Sequence, residues 1–149
     1  MHRRSLLKGT FTAAGALLAA ATSALRAKAA DPEKSKVVYH LTDLDKVGFV
    51  LGNIRNHFEG GGGPDKVTIA LVVHGPALKA FHSVPANAEV TRRLGELSKT
   101  ALALHACGNT MKSQNITLKD LPPGFVVAEE GGVVRIAELQ AAGYAYLRP

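Results

Sequence analysis

The segment Val67–Val73 is apolar at nearly every position, and its length suits one β-strand that is covered on both faces. On either side of it, the chain alternates other short apolar runs with longer stretches whose apolar residues recur at helical spacing. Such alternation is typical of an α/β fold. We therefore predict a mostly parallel sheet of four to five strands with helices on both faces.

The predicted strands and helices follow one another along the chain. We place strands at residues 36–41, 67–73, 101–106, 125–127 and 144–147. We place longer helices at 45–58, 87–97 and 133–142, and shorter helical segments at 76–81 and from Asn109 onward. In a parallel sheet, the carboxyl ends of the strands meet at one edge, and ligand sites of such folds lie there.

The excess of basic residues is confined to the start of the chain. The 149 residues carry a formal net charge of +6, from 18 Lys and Arg against 12 Asp and Glu. Five of these cations precede Asp31, where there is no acidic residue: Arg3, Arg4, Lys8, Arg26 and Lys28. The remainder holds 13 cations and 12 acids, so we expect no nucleic-acid partner. Its length suits one compact domain.

Residues 1–30 have the layout of an export signal. A basic start precedes an apolar stretch rich in Ala and Leu at 10–25, and Ala27-Lys28-Ala29 forms a small-x-small cleavage site. The run Arg3-Arg4-Ser5-Leu6-Leu7-Lys8 resembles a twin-arginine export signal. An uncleaved membrane anchor is the alternative, but the apolar stretch is shorter than the roughly 20 residues that a membrane span needs.

These features predict three segments. We expect a cleaved twin-arginine signal peptide at 1–29, a linker at 30–36 and an α/β domain at 37–149. A twin-arginine signal implies a bacterial periplasmic protein that is exported already folded, often because it is loaded with a cofactor or assembled beforehand. The sequence itself indicates no cofactor, and we expect no contact with the membrane once the signal has been removed.

Polar or reactive side chains occur at the carboxyl ends of three predicted strands. His40 lies near the end of the first strand, His74 and Gly75 follow the second, and residues 107–110 follow the third. We expect these groups to share one edge of the sheet. The glycines at 60–63 follow a helix and precede a strand, which places them at the opposite edge. A phosphate-binding loop needs the reverse order, so we interpret them as a flexible connection.

Cys107 is the only cysteine, so the chain cannot form an intramolecular disulfide. Its thiol is either buried and inert or kept for chemistry, and composition alone leaves both open. We expect Asn109 or Thr110 to cap the helix that follows, with the backbone N–H groups of its first turn pointing toward the sulfur. Partial positive charge there favours a thiolate, and it favours a persulfide anion in the same way.

The histidines differ in their expected roles. His74 and His40 are the neighbours most able to donate a proton, orient a sulfur or bind a ligand, although a structural role is the alternative for each. His105 lies two residues before Cys107, so it faces the same side of its strand but deeper, where a structural role is favoured. His57 and His82 are expected at the surface.

Several short motifs, taken in their order, carry a resemblance to a known family. They are residues 36–40 (KVVYH), 72–78 (VVHGPAL), 106–111 (ACGNTM), 121–125 (LPPGF), 132–133 (GV), 139–140 (LQ) and 143–149 (GYAYLRP). Together they resemble the exported, twin-arginine-signal branch of the DsrE/DsrF-like family over essentially the whole mature chain. The resemblance implies a flavodoxin-like order of strands, assembly into homotrimers or homohexamers, and a role in sulfur trafficking. Cys107 occupies the position at which relay members of the family carry a persulfide.

The first functional hypothesis is a periplasmic sulfur carrier. Cys107 would attack a sulfane sulfur, hold it as a persulfide, and yield it to a second thiol by exchange. The expected partner is a thiol-bearing protein that donates or accepts the sulfur. In this hypothesis Cys107 and His74 are catalytic. The groups that would bind the substrate or its anion are Gly75, Gly108, Asn109, Thr110 and His40.

Two alternatives come from other classes of protein. One is a metal- or cofactor-binding module that uses His40, His74 and Cys107, since thiolate and imidazole suit copper or zinc. The other is a non-catalytic subunit of a homo-oligomer with a vestigial site. In that case the apolar residues of the last helix would serve either the core or a subunit contact: Val133, Val134, Ile136, Ala137 and Leu139.

Overall fold

Five parallel strands form one sheet in the order β4-β3-β2-β1-β5. The structure is a computed structural model, and it describes residues 34–82 and 87–149. The strands are β1 (Ser35–Leu41), β2 (Val67–Val73), β3 (Leu102–Cys107), β4 (Phe125–Ala128) and β5 (Ala145–Leu147). The expected signal peptide and its cleavage site lie outside the described residues.

In the part of the chain that the structure describes, four α-helices alternate with these strands. They are α1 (Val47–Gly60), α2 (Ala88–Leu97), α3 (Gly108–Gln114) and α4 (Gly132–Ala141). Three short 3-10 helices accompany them, at Leu44–Lys46, Gly75–Ala80 and Leu118–Asp120. The predicted α/β fold is therefore confirmed, and most boundaries lie within one or two residues of the predicted ones. No helix among the described residues is long and apolar enough to cross a membrane.

The order of the strands decides which face each helix covers. From β1 to β4 the chain steps across the sheet in one direction, and right-handed connections place the intervening helices on one face. The return from β4 to β5 reverses the direction, so α4 lies on the opposite face. There Ile136 and Leu139 of α4 pack against Val38, Ala70 and Val72. The expectation of helices on both faces is confirmed.

The central strand β2 is buried on both faces, as its apolar sequence predicts. Leu71 and Val73 belong to the larger core under α1 and α2, whereas Ala70 and Val72 belong to the smaller core under α4. Leu71, Val72 and Val73 have no exposed surface. Since burial of one such side chain stabilises the fold by about 1.5–3 kcal/mol, β2 anchors both cores and fixes the positions of its neighbours.

The glycines at 60–63 lie between the end of α1 and the start of β2. They are therefore at the edge opposite the carboxyl ends of the strands, as expected. Gly62 and Gly63 have φ angles of +89° and +87°, a backbone conformation that residues other than glycine rarely adopt. Their backbone geometry explains why glycines occur at this helix-to-strand connection.

Candidate functional site

His40, His74 and Cys107 lie on the face of the sheet that α4 covers. Neighbouring β1 residues alternate between the two faces, and Val38 belongs to the core under α4, so His40 faces the same way. Cys107 alternates with Ala106, which belongs to the opposite core. The three side chains therefore occupy one face at the carboxyl edge.

The sulfur of Cys107 is surrounded by hydrogen-bond donors. Burial raises the pKa of the Cys107 thiol, but hydrogen bonds from the Thr110 hydroxyl and from the backbone N–H groups of Thr110, Gly132 and Asn109 outweigh it, so the pKa is lowered overall. The residue is only 4% exposed. The surroundings therefore favour the thiolate in a largely buried position.

Thr110 is held in the orientation that this contact requires. Its Oγ1 atom accepts a hydrogen bond of 2.9 Å from the backbone N–H of Gly75. Because a hydroxyl has one proton, that proton stays available for the sulfur of Cys107. Gln114 also ties α3 to the same loop, through a 2.9 Å bond from its Nε2 to the carbonyl oxygen of Gly75.

The expected helix cap is wrong by two to three residues. Helix α3 begins at Gly108, so Cys107 itself is the capping residue, and neither Asn109 nor Thr110 caps the helix. Their N–H groups belong to the first turn and lie near the sulfur, where they lower the pKa of the thiol. Gly108 lets the segment after β4 approach closely, since a Cβ atom there would lie 3.0 and 3.2 Å from the carbonyl oxygens of Ala128 and Glu129.

A second helix start also faces the sulfur, and its residues were not among the expected site residues. Helix α4 begins at Gly132, whose N–H donates to Cys107. A Cβ atom at Gly132 would lie 3.3 Å from the Cβ of Cys107 and 3.4 Å from that of His74. Gly131 precedes it with a φ of +102°. The only sequence signal was this Gly-Gly pair before an apolar helix.

His40 and His74 form a short hydrogen-bonded pair. Their Nε2 atoms are 2.6 Å apart, and His40 Nδ1 is 2.7 Å from the hydroxyl of Tyr146. Tyr146 was not among the expected site residues. It reaches His40 because β5 lies beside β1, a neighbour relation between distant segments that no local motif reveals.

Both imidazoles are held in the neutral form. Burial, the neighbouring His74 and the Arg148 guanidinium lower the pKa of His40 to about 4, against the opposing effect of Asp43. Burial and Arg148 lower the pKa of His74 as well. At neutral pH, one ring of the pair must therefore donate its Nε2 proton to the other.

An open depression of about 490 Å³ lies at this edge. Its lining comprises His74, Cys107, Asn109, Thr110, Ser113, Glu130, Gly131, Gly132, Val133 and Val134. Val133 and Val134 of α4 are 66% and 44% exposed, whereas Ile136 and Leu139 are buried in the core. The apolar residues of the last helix are thus divided between core and surface.

The remaining predicted residues lie outside this depression. His105 is buried and lines a separate depression of about 390 Å³ together with Arg135 and Glu138. The Nδ1 atom of His57 is 3.0 Å from the hydroxyl of Tyr39 on the other face. His82 is exposed, as expected.

The three-ligand metal site that was considered as an alternative does not form. In residues 34–82 and 87–149, no three His, Cys, Asp or Glu side chains are grouped so that they could hold a metal ion. The Nε2 atoms of His40 and His74, which would be ligands, are instead bonded to each other. The hydrogen bond between the two rings is the physical reason why the expected set of three metal ligands is not found in these residues.

Comparisons with known proteins agree with this architecture. The model of the DsrE/DsrF-like family matches residues 16–149. The protein of unknown function MTH1491 from Methanobacterium thermoautotrophicum is 26% identical, with a TM-score of 0.67 over 78% of this chain and 100% of that one. No curated protein matches the chain significantly.

Two further solved structures share the fold at lower identity. The ychN protein from E. coli is 12% identical, with a TM-score of 0.56 over 77% of this chain and 99% of that one. The conserved protein of unknown function BT1422 from Bacteroides thetaiotaomicron is 17% identical, with a TM-score of 0.55 over 76% of this chain and 95% of that one.

Proposed function

The chain belongs to the DsrE/DsrF-like family, whose members are associated with sulfur relay, and we propose that it carries sulfane sulfur as a persulfide on Cys107. The observation that carries this proposal is the position of Cys107 at the starts of α3 and α4, where the Thr110 hydroxyl and nearby backbone N–H groups lower the pKa of its thiol despite its burial. The thiolate is the nucleophile in exchange reactions of sulfur, and the same donors suit a persulfide anion.

Loading begins with a hydropersulfide donor, R–S–SH. The Cys107 thiolate attacks the outer, sulfane sulfur, so that a new S–S bond forms at Cys107 and the bond between that sulfur and R–S breaks. The electron pair of the broken bond leaves with R–S⁻, and the hydrogen remains on the transferred sulfur. The product is Cys107–S–SH, and no external oxidant or reductant takes part.

Unloading repeats this chemistry in the other direction. The thiolate of an acceptor attacks the outer sulfur of Cys107–S–SH, takes it as A–S–SH, and releases the Cys107 thiolate. The donors from Thr110 and Gly132 that stabilised the thiolate before loading stabilise it again as the leaving group. The open depression of about 490 Å³ gives both partners access to the sulfur.

The expected site residues take different parts in this proposal. His74 lines the depression beside Cys107 and acts as a neutral ring, whereas His40 lies behind it and acts through His74. Asn109 and Thr110 stabilise sulfur anions through their N–H groups. The N–H of Gly75 is engaged with Thr110, so Gly75 positions that hydroxyl. Gly108 allows the close approach of the segment before α4.

The proposal includes location and assembly. The twin-arginine pattern in the leader supports export of the folded domain to the periplasm, and replacement of Arg3 and Arg4 by Lys should retain the protein in the cytoplasm of fractionated cells. A homotrimer or homohexamer is the proposed assembly, and its partner is a protein with a donor or acceptor thiol. Sedimentation of the mature protein tests the assembly.

Mass spectrometry after incubation with a hydropersulfide tests the central step. The mature protein should gain about 32 Da for each sulfur, and dithiothreitol should remove the gain. Cys107→Ser should show no gain. An unmodified mass in a protein whose thiol reacts with small reagents would contradict the carrier function. A thiol that resists those reagents in the intact oligomer would favour a non-catalytic subunit.

A further inference from the structure

Three side chains form a continuous hydrogen-bonded chain from the surface to the depression. Tyr146 is 40% exposed, and its hydroxyl is 2.7 Å from Nδ1 of His40. Nε2 of His40 is 2.6 Å from Nε2 of His74, and His74 lines the depression that contains Cys107. Since Nε2 of His74 is occupied by His40, Nδ1 is the nitrogen left for a group in the depression.

Two proton arrangements satisfy this chain with both rings neutral. In the first, Tyr146 donates to His40 Nδ1, His40 donates through Nε2 to His74 Nε2, and His74 carries its single N–H proton on Nδ1. In the second, every donor and acceptor is exchanged: His74 donates through Nε2, and His40 donates through Nδ1 to Tyr146. The two arrangements differ by the shift of one proton along each link.

We propose that Tyr146, His40 and His74 form a proton relay that links solvent to the depression at Cys107. Nδ1 of His74 gives its proton to a group in the depression, His40 passes its Nε2 proton to His74, and Tyr146 passes its hydroxyl proton to His40. Tyr146 then takes a proton from solvent. No electron moves and neither ring becomes charged. The relay thus suits a site whose burial and nearby Arg148 disfavour imidazolium.

This inference rests on the proposed sulfur-carrier function, whose two steps need protons moved in opposite directions. Loading releases R–S⁻ beside the largely buried Cys107–S–SH, where burial disfavours a charge, and a proton from His74 Nδ1 converts the leaving group to neutral R–SH. Unloading requires an acceptor thiol to lose its proton, which His74 Nδ1 accepts and the chain returns to solvent. One cycle of loading and unloading therefore restores the first arrangement.

Single-turnover loading with glutathione hydropersulfide tests the relay. His40→Gln introduces a side-chain amide that still donates and accepts hydrogen bonds. Its nitrogen is always the donor and its oxygen always the acceptor, so it cannot pass a proton along as an imidazole does. We expect loading to slow by about 100-fold, the low end of general acid catalysis, and added imidazole to restore much of the rate. Tyr144→Phe changes a tyrosine that takes no part in the hydrogen bonds of the relay, and it should leave the rate unchanged.

Each result of this experiment decides the proposal. Loading of His40→Gln at the wild-type rate would overturn the relay. Slower loading that imidazole does not restore would also overturn it, since it would indicate that His40 only supports the structure. The pKa of the Cys107 thiol, measured in the same variant, should stay at the wild-type value because its four donors are untouched.

Nitrogen NMR of the histidine rings tests the relay independently of sulfur chemistry. Tyr146→Phe should change the tautomer balance of His74 as well as that of His40, although the hydroxyl of Tyr146 is bonded to His40. Tyr144→Phe should change neither ring. A His74 tautomer that does not respond to Tyr146→Phe contradicts the relay, even if Cys107 carries sulfur. Conversely, a wild-type protein that gains no sulfur while the tautomers respond contradicts only the carrier function.

Discussion

The hydroxyl of Thr110 accepts a 2.9 Å hydrogen bond from the backbone N–H of Gly75. This bond joins the first turn of α3 to the segment after β2, and it leaves the hydroxyl proton available for the sulfur of Cys107. The depressed pKa of the thiol therefore depends on the relative positions of two strand ends, and not only on the helix that follows the cysteine.

Replacement of Thr110 by Val should raise the pKa of the Cys107 thiol. The contact of the hydroxyl with the sulfur is lost, and since a hydrogen bond to a charged group contributes about 1.5–3 kcal/mol, the rise should be about one to two units. The N–H of Gly75 also loses its acceptor. The ultraviolet absorbance of the thiolate, followed as a function of pH, measures the change. Thr110→Ser retains a hydroxyl and is the matched control, so its thiol pKa should stay near the wild-type value. An unchanged thiol pKa in Thr110→Val would argue against this contact.

Replacement of Gly132 by Ala should disturb the site even though Ala is the better helix former. The new Cβ would lie 3.3 Å from the Cβ of Cys107 and 3.4 Å from that of His74, and neither atom can swing away from its backbone. We expect a loss of about 1 kcal/mol of stability, at the low end for overpacking, and a higher thiol pKa as the Gly132 N–H shifts.

Gly95 provides the control for that substitution. It lies in α2, and a Cβ there would meet nothing within 4 Å. Gly95→Ala should therefore stabilise the protein by about 0.5–1 kcal/mol through helix propensity alone. Denaturant unfolding of the two variants compares them directly. An equal gain in the free energy of unfolding in Gly132→Ala and Gly95→Ala would mean that α4 can move away from Cys107 without destabilising the protein.

The stability of the domain should fall as the pH decreases from about 6.5, the ordinary pKa of histidine, toward the folded pKa of His40 near 4. In this window the unfolded chain binds a proton that the folded chain does not, so protons favour unfolding. His74 and His105, whose pKa values are also lowered, add to the slope. Urea unfolding across this range should show a shallower slope in His40→Gln. An unchanged slope would mean that the burial of His40 does not disfavour its charged form.

Alternating apolar runs and helical spacing were enough to predict the sheet and the helices that flank it, because both signals are local in the sequence. Because the carboxyl ends of parallel strands meet at one edge of a sheet, the predicted strands also placed His40, His74 and Cys107 at that edge. Tyr146 and Gly132 could not be found in this way. Tyr146 reaches the site because β5 pairs with β1, and Gly132 reaches it because α4 crosses back over the sheet. Both relations join segments that are distant in sequence.

Replacement of Arg148 by Gln should raise the pKa of both His40 and His74, because the guanidinium is a positive charge that opposes protonation of each ring. Proton NMR titration of the histidine rings measures both values. Arg135→Gln is the matched control, since Arg135 lowers the pKa of His105 in the neighbouring depression. That variant should raise the pKa of His105 and leave His40 and His74 unchanged. If Arg148→Gln changes the pKa of neither ring, burial and the contact between the two rings keep them neutral, and the charge of Arg148 has no part in the protonation of the site.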